Sequence, residues 1–594
     1  MKRVTFNDFS GGIAADGVIL NDRQVADAHG FVLDDQRRLR SQPPIDELTR
    51  ILPTELSKFV VGGVTWLLVK SSSLAGTSFS YVKLDETHGK QAPTAGMIPV
   101  TWQVLAGTFA EAHRIVGQIR YNDDNKLKPA LLIHVPPQGG VMSVAEAKAY
   151  YVVQSDDGQS LRTIEVSNFY PSLTFRDNEY FAESPAVPRC SVVTMWRDVP
   201  VYANIEYPGA QSNDWFKDGS FTASSAKMHS NFVYFGDPVN NGWVDPRYPH
   251  RVSDEGTTII GMFEIDEGLL CFTTGSSNAS GVILLRGTPA DFTVDAADKA
   301  SNERITGLAP MQVRSGTDTS ILTRSMSYWD EQQSVLFVTE DNRLMQYRTG
   351  RLADISPQTA ALPPLAGRLG ATTASVAAAG RYVVFADSRQ QTMWIMRSFG
   401  TEGAWTRLLM PEGEPAFGSL VEAGGDLYWA HHVDQGGVRS LIKLCVLRLT
   451  DPPAVDQAGV AIAATMPAVL VAKQGAASRR GEILGALSQL RVVTRAFGED
   501  TPTVEKWWDR VSVRVLRASP TAARVVSITT TVQDAEQNLV TYTETVNDDI
   551  TRPAETVVVN SAGPAAVAQI SIAVTGDLII DAVSIEYAPG LETL

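Results

Sequence analysis

Cysteine is nearly missing from this chain: three in 594 residues, Cys190, Cys271 and Cys445, far apart and without CxxC or Cys/His spacing. That scarcity excludes a disulfide scaffold and a structural zinc site, and makes buried thiols in a reducing cytosol the expectation. Long apolar runs are lacking as well. The longest, Ala458 to Ala472, contains Pro467 and falls short of the roughly 20 residues a membrane helix needs. It reads as a buried strand pair; the alternative is an apolar loop that meets a membrane or partner on triggering. The first residues, Met-Lys-Arg-Val-Thr-Phe-Asn-Asp, begin basic but lack the apolar stretch of a signal peptide. P-loop, GxSxG, HExxH and dinucleotide fingerprints are absent, so catalysis has no recognisable address and no cofactor is expected.

Positive charge is also in short supply, with 51 basic against 66 acidic side chains and a net charge of −15. A protein that grips DNA by neutralising phosphates would carry the opposite balance. From Gln533 to Leu594 ten carboxylates stand against one arginine, Arg552. This stretch is either a solvated strand face or an electronegative surface that DNA passes without sticking.

What is present is turn-rich and β-forming. With 46 glycines, 31 prolines and 44 % apolar residues, 594 residues imply two to four globular domains dominated by strands. The expected class is all-β: a β-propeller-like central region, an additional C-terminal β-sandwich and an extended N-terminal arm.

Residues 1–50 do not read as a self-sufficient core. Phe6, Phe9 and Ile13 are scattered among Gly11, Gly12 and Asp16, as in an extended docking arm pinned by few anchors. A short helix is expected over Asp22–Gly30, capped by Asn21. Arg37, Arg38 and Arg40 then form either a solvated strand edge or a docking point for an acidic neighbour.

Over 51–450 short apolar strands alternate with polar turns. The hairpins are Val64–Lys70 with Phe79–Leu84, Tyr150–Gln154 with Leu161–Val166 and Gly268–Thr273 with Gly281–Arg286. Three more are Ser334–Thr339 with Arg343–Tyr347, Tyr382–Ala386 with Met393–Met396, and Asp426–Ala430 with Ser440–Leu444. The strands near Val335, Tyr382 and Leu427 lie 47 and 45 residues apart. A four-stranded propeller blade takes about 40–50 residues, so the spacing fits consecutive blades. Gly403-Ala404-Trp405 would close one blade, and inserted platform strands fit the same region. A sandwich or jelly roll is the alternative. In 451–594 some six strands, with Trp507 and Trp508 at the entrance, predict a separate sandwich.

Candidate chemistry concentrates in Asp237, Asp245, Asp254 and Glu255, with Trp215, Trp243, Arg247 and Tyr248 around them. A glycosidase would draw a carboxylate pair from this set; a Pro-braced loop with turn-capping aspartates is the plainer reading. Ser155-Asp156-Asp157-Gly158 is one defective Asp-box turn. His431 and His432, adjacent in a strand, point to opposite faces and cannot share a metal without a bulge.

Three blocks resemble the tail nozzle (tail tubular B) family of short-tailed bacteriophages. The first is Phe9-Ser10-Gly11-Gly12-Ile13 with Leu20, Gln24, Phe31 and Arg37 to Pro44. The second runs from Phe232 through Gly236-Asp237-Pro238 and Trp243 to Arg251. The third is Ile259 to Met262, Gly268 to Phe272, Ile283 to Gly287 and Asp291-Phe292. The likeness covers the first fifty residues and 215–295. The chain departs from the family in lacking asparagine at Ala28 or His29, and in carrying Leu284 and Leu285 where a tyrosine is usual.

The resemblance implies a propeller-containing subunit of a homohexameric ring in the virion tail, made in the host cytoplasm. Such a ring would bind a head–tail adaptor and tail fibres and enclose the exit channel for double-stranded DNA. Interaction residues would then be Phe6, Phe9, Gly11, Gly12, Ile13, Arg37, Arg38, Arg40, Trp243, Asp245, Arg247 and Tyr248. Asp577 and Asp581 are the expected acidic residues facing the channel. The competing expectation is a receptor-binding or glycan-depolymerising tail protein.

Overall fold

In the computed structural model the described residues lie, with short gaps, within 2–48, 53–84, 102–137, 146–207, 227–304, 321–357, 374–408, 414–449, 490–493 and 506–589. Strands dominate them, and the chain is all-β. No helix among the described residues is long and apolar enough to cross a membrane.

The alternation of apolar strands and turns folds as seven antiparallel meanders in chain order; a parallel bridge from Gly117 to Val193 joins the second and third into one eight-stranded sheet, and the sixth runs on through Asp27–His29 into a nine-stranded one. The first contains Pro53–Val61, Val64–Ser73, Gly76–Leu84 and Gln103–Val104; the second Arg114–Asp123, Lys126–His134, Tyr150–Gln154 and Leu161–Glu165. The third contains Val192–Trp196, Val199–Tyr207, Lys227–Asp237 and Trp243–Arg251. The fourth contains Thr257–Ile265, Gly268–Gly275, Gly281–Arg286 and Asn302–Arg304. The fifth contains Ile321–Trp329, Ser334–Thr339, Leu344–Arg348 and Arg351–Asp354; the sixth Ala374–Ala379, Tyr382–Asp387, Thr392–Phe399 and Glu402–Leu408. The seventh begins with Glu414–Pro415 and Val421–Ala423, continues through Asp426–Gln435 and Val438–Leu447, and ends on Ile45–Leu48 from the N-terminal segment.

These sheets are buried on both faces, so each must pack on its neighbours. Trp66, Phe79 and Tyr81 of the first pack on Ile133, Tyr150 and Val152 of the second, and Tyr151 and Val153 of the second on Tyr202 and Tyr234 of the third. Trp196 and Val233 meet Cys271 and Leu285, Phe272 and Leu284 meet Phe337 and Tyr347, and Trp329 Nε1 donates to the Gly380 carbonyl across the fifth and sixth sheets at 2.7 Å. Val384 and Ile395 meet Trp429 and Leu447. Finally Tyr428, Leu444 and Val446 of the seventh pack on Leu56, Leu67 and Val69 of the first. The seventh seam returns to the first sheet: this is a closed seven-bladed propeller.

Close approach of first strands dictates one glycine. Gly117 has φ +153°, and a Cβ there would lie 1.9 Å from the Val193 carbonyl oxygen of the next blade.

The C-terminal strands form two further sheets. One has the order Ala554–Ala565, Lys506–Arg517, Leu578–Pro589, and Lys2–Phe6 pairs on the outer edge of the last of these. The other has the order Leu490–Val493, Val567–Thr575, Arg524–Gln533, Leu539–Asp548. Counting Lys2–Phe6 as strand one and the rest in chain order, the sheets read 1-8-3-6 and 2-7-4-5, the eight-stranded jelly-roll arrangement. Its first strand comes from the opposite end of the chain.

The described strands of the first fifty residues pair within the chain, among them Lys2–Phe6 and Leu39–Ser41 with Leu578–Pro589 and Ile45–Leu48 with Val438–Leu447. Two expectations are corrected. Residues 24–25 and 27–29 form strands, Gln24–Val25 and Asp27–His29, in place of the helix over Asp22–Gly30. Neighbouring sheet edges claim this backbone, since Asp27–His29 is flanked by Glu402–Leu408 and Leu490–Val493; Asn21 lies outside the described residues. The Pro-braced loop expected around Asp245 is a strand, the outermost of the third blade, where proline costs no ladder bond on the open side.

Candidate functional site: the seam between the N-terminal segment and the C-terminal sheets

A turn that opens on Asp34 and is centred on Asp35 and Gln36 connects Phe31–Leu33 to Leu39–Ser41. Asp34 organises it: its Oδ1 accepts from the backbone N–H of Gln36 and of Arg38, both at 2.9 Å, and Oδ2 accepts from Arg38 Nε at 2.9 Å. Arg37 takes the left-handed φ of 63° at this reversal. Phe31, Val32, Leu33 and Leu39 are buried.

This hairpin touches both bodies. Toward the jelly roll, Leu39 and Arg40 pair in the ladder with Ile580 and Ile579. Arg38 Nη1 reaches Asp581 Oδ1 at 3.4 Å, and Arg514 Nε faces the other oxygen at 3.4 Å. Two guanidinium groups therefore flank Asp581. Toward the sixth blade, Thr406 Oγ1 donates to the Phe31 carbonyl at 2.6 Å, while Tyr382 Oη and Arg397 Nη1 donate to the Leu33 carbonyl at 3.1 and 3.0 Å. The Arg397 guanidinium also pairs with Asp35 and lies 4.9 Å from the Tyr382 ring centroid. Arg381 adds a 3.2 Å pair to Asp35 and a 3.0 Å pair to Glu331. Val32 enters the apolar seam of the sixth and seventh blades.

The candidate residues divide as follows. Arg38 and Asp581, one an expected docking arginine and the other an expected acidic wall residue, are each other's partners. Arg37 pairs with Asp8 at 3.3 Å. Gly12 and Ile13 pair in parallel with Gln24 and Val25, joining two parts of the same N-terminal motif. Phe6 ends the strand opposite Val583. The backbones of Trp243, Asp245, Arg247 and Tyr248 lie in the outer strand of the third blade, away from the seam. Phe9, Gly11, Asp254, Glu255, Trp215, Asp577 and the run from Ala458 to Ala472 lie outside the described residues.

Sequence reading missed Tyr382, Arg397 and Thr406, because strand residues that hold a distant carbonyl carry no local signature. It also missed the buried contact of Cys190 Sγ with His134 Nε2 at 3.5 Å. Burial pushes that thiol up and the imidazole down to about 3, so both are neutral and the pair is no thiolate nucleophile. His431 is fully buried and its Nδ1 accepts from Trp429 Nε1 at 3.3 Å, a packed core histidine. The turn at Ser155 closes on itself, with Ser155 Oγ bonded to Ser160 and Asp157, and Asp156 is paired with Lys128 at 2.7 Å. No group of three or more metal-ligating side chains occurs among the described residues.

No family model matches the chain, and no curated protein matches it. Among solved structures it is similar to Raptor of Chaetomium thermophilum, with TM-score 0.37, 8 % identity, and coverage of 69 % of this chain and 29 % of that one. It is similar to the polysaccharide lyase Uly1 at TM-score 0.35 and 8 % identity, over 76 % of this chain and 99 % of that one. A family 43 arabinoxylan arabinofuranohydrolase from Bacillus subtilis follows at TM-score 0.20 and 9 % identity, over 91 % and 96 %. Such low TM-scores carry no argument about activity, and the architecture stands on the strand pairing itself.

Proposed function

We propose that this chain is a structural subunit of a short-tailed phage tail nozzle, a homohexameric ring around the DNA exit channel. In this reading it binds the head–tail adaptor and tail fibres, passes double-stranded DNA without sequence-specific contact, and works without catalysis or a cofactor in the virion tail. The observation that carries the proposal is the seam. The N-terminal block that resembles the nozzle family is spent on fastening a propeller to a jelly roll by ladders, ion pairs and buried apolar residues. A wall element must resist deformation, and such fastening supplies stiffness. The second and third resembling blocks support the same reading, because they fold as the outer strands of the third blade and the strands of the fourth, which are framework positions.

Native mass measurement of the full chain, alone and with its adaptor, tests the proposal. A sixfold assembly is expected. A monomer or trimer that binds or cleaves saccharides on a glycan array would replace it with the receptor-binding reading.

A further inference from the structure

We propose that the hairpin tip Arg348-Thr349-Gly350-Arg351 on the fifth blade is a docking point for an acidic segment of a protein partner, one that brings two neighbouring carboxylates. This goes beyond the ring reading and does not depend on it.

The tip is built against stability. Thr349 and Gly350 join Leu344–Arg348 to Arg351–Asp354 with φ of 44° and 72°, the left-handed pair of a tight hairpin. A β-branched residue adopts that conformation at a cost. The same molecule shows the easier solution at Gly62-Gly63 and Gly424-Gly425, where both positive angles fall on glycine. Arg348 and Arg351 flank the turn directly opposite each other in the ladder, where like charges repel across about 4.5–5.5 Å between Cβ atoms. All four residues are exposed, so burial offsets neither cost.

The two guanidinium groups also have no carboxylate among the described residues. Arg348 Nη1 donates to a neutral acceptor, Gln332 Oε1, at 2.8 Å, and Arg351 has no hydrogen bond or ion pair there. Carboxylates close by are engaged elsewhere: Glu267 accepts from Tyr347 Oη at 2.9 Å, Glu331 pairs with Arg381 at 3.0 Å, and Asp354 with Arg343 at 3.9 Å. Arg197-Asp198, a turn of two left-handed non-glycine residues, gives the contrast. There Asp198 pairs with Arg120, and Glu264 accepts from the Arg197 backbone N–H at 3.1 Å, so the chemistry closes within the chain.

The tip is also held in shape. The Gly350 N–H donates to Oη of the buried Tyr347 at 3.2 Å, and Gln332 steadies the Arg348 guanidinium. Two guanidinium forks on a fixed hairpin suit carboxylates, each of which accepts a parallel pair of N–H bonds. Nucleic acid fits less well. Asp330 and Glu331 stand on the same short turn as Gln332, and the chain carries −15, so a continuous phosphate backbone would meet carboxylates beside the arginines.

The test titrates a hexaglutamate peptide and, separately, a short DNA duplex into the full-length chain by calorimetry at low salt. Arg351→Glu and the double variant Arg348→Ala/Arg351→Ala run alongside. Peptide binding is expected to weaken at least about tenfold in both variants. The thermal midpoint of Arg351→Glu should hold or rise by up to about 1–2 °C, because repulsion across the ladder becomes attraction. Peptide affinity unchanged in the variants, no peptide binding by the unaltered chain, or a lowered midpoint in Arg351→Glu overturns the proposal. Duplex binding that depends on the same arginines overturns it in favour of nucleic acid.

Discussion

At the scale of single residues, the strongest groups in the seam are those that hold backbone carbonyls rather than those that carry the most obvious charge. Asp35 is 64 % exposed, so its pair with Arg397 is screened by water, whereas the Arg397 side chain is only 9 % exposed and also holds the Leu33 carbonyl and Tyr382 Oη. We expect Arg397→Gln to cost about 1–3 kcal/mol, because a buried carbonyl loses a charged donor. Asp35→Asn should cost less than ~1 kcal/mol. Urea midpoints of the two variants check this, and equal losses would mean that the charge pair, not the carbonyl, holds the hairpin.

His134 makes a second residue-scale prediction. Its folded pKa is lowered to about 3, chiefly by burial, against about 6.5 when unfolded. Below pH 6.5 the unfolded chain takes up a proton that the folded chain refuses until about pH 3. Stability therefore falls with falling pH across that window, by up to about 1.4 kcal/mol per pH unit from this group. His113, also lowered by burial, works in the same direction. His134→Asn should flatten the loss between pH 6.5 and 5, measured by denaturant titration at each pH.

At the scale of elements, the point where neighbouring first strands come closest is the most sensitive. Gly117→Ala would drive a methyl into the Val193 carbonyl at a backbone angle that alanine avoids. A loss of about 1–3 kcal/mol is expected from overpacking, with the added cost of the positive φ. A lowered thermal midpoint with unchanged strand content would show it, and an unchanged midpoint would mean the two blades separate freely there.

Elements are also where sequence reading succeeded best. Ser334–Thr339, Tyr382–Asp387 and Asp426–Gln435 are the second strands of the fifth, sixth and seventh blades, so the period near Val335, Tyr382 and Leu427 tracked the real repeat. Gly403-Ala404-Trp405 lies in Glu402–Leu408, the closing strand of the sixth blade. Hairpins are local, and alternation plus turn residues suffices to expose them. The N-terminal strands were illegible for the opposite reason. Lys2–Phe6 pairs with residues more than 575 positions away, between Val583 and Tyr587, and nothing in a five-residue window encodes its partner. The site was half legible for the same reason: Arg38 and Asp581 were singled out separately, but only folding joins them.

At the scale of the whole molecule, one segment performs two closures that a deletion series can separate. Ile45–Leu48 completes the seventh blade, while Lys2–Phe6, Asp27–His29, Phe31–Leu33 and Leu39–Ser41 reach the jelly roll or the sixth blade. A chain beginning at Ile45 keeps the outer strand of the propeller but loses Val32 from the apolar seam and every ladder that Lys2 to Ser41 provides. A chain beginning at Pro53 loses the outer strand as well, exposing the edge of Val438–Leu447 as an unpaired template for aggregation. Amide hydrogen exchange at Leu444 to Leu447 distinguishes the two. At the amides there that bond to Ile45–Leu48, protection should survive in the first chain and be lost in the second, while the alternate amides stay paired with Asp426–Gln435; in both chains the amides of Val583 to Tyr587 that face Lys2–Phe6 lose protection and those that face Lys506–Arg517 keep it. Equal protection of Leu444 to Leu447 in the two chains would show that the ring of blades stays shut without its borrowed strand. The N-terminal segment would then be a fastener for the jelly roll alone.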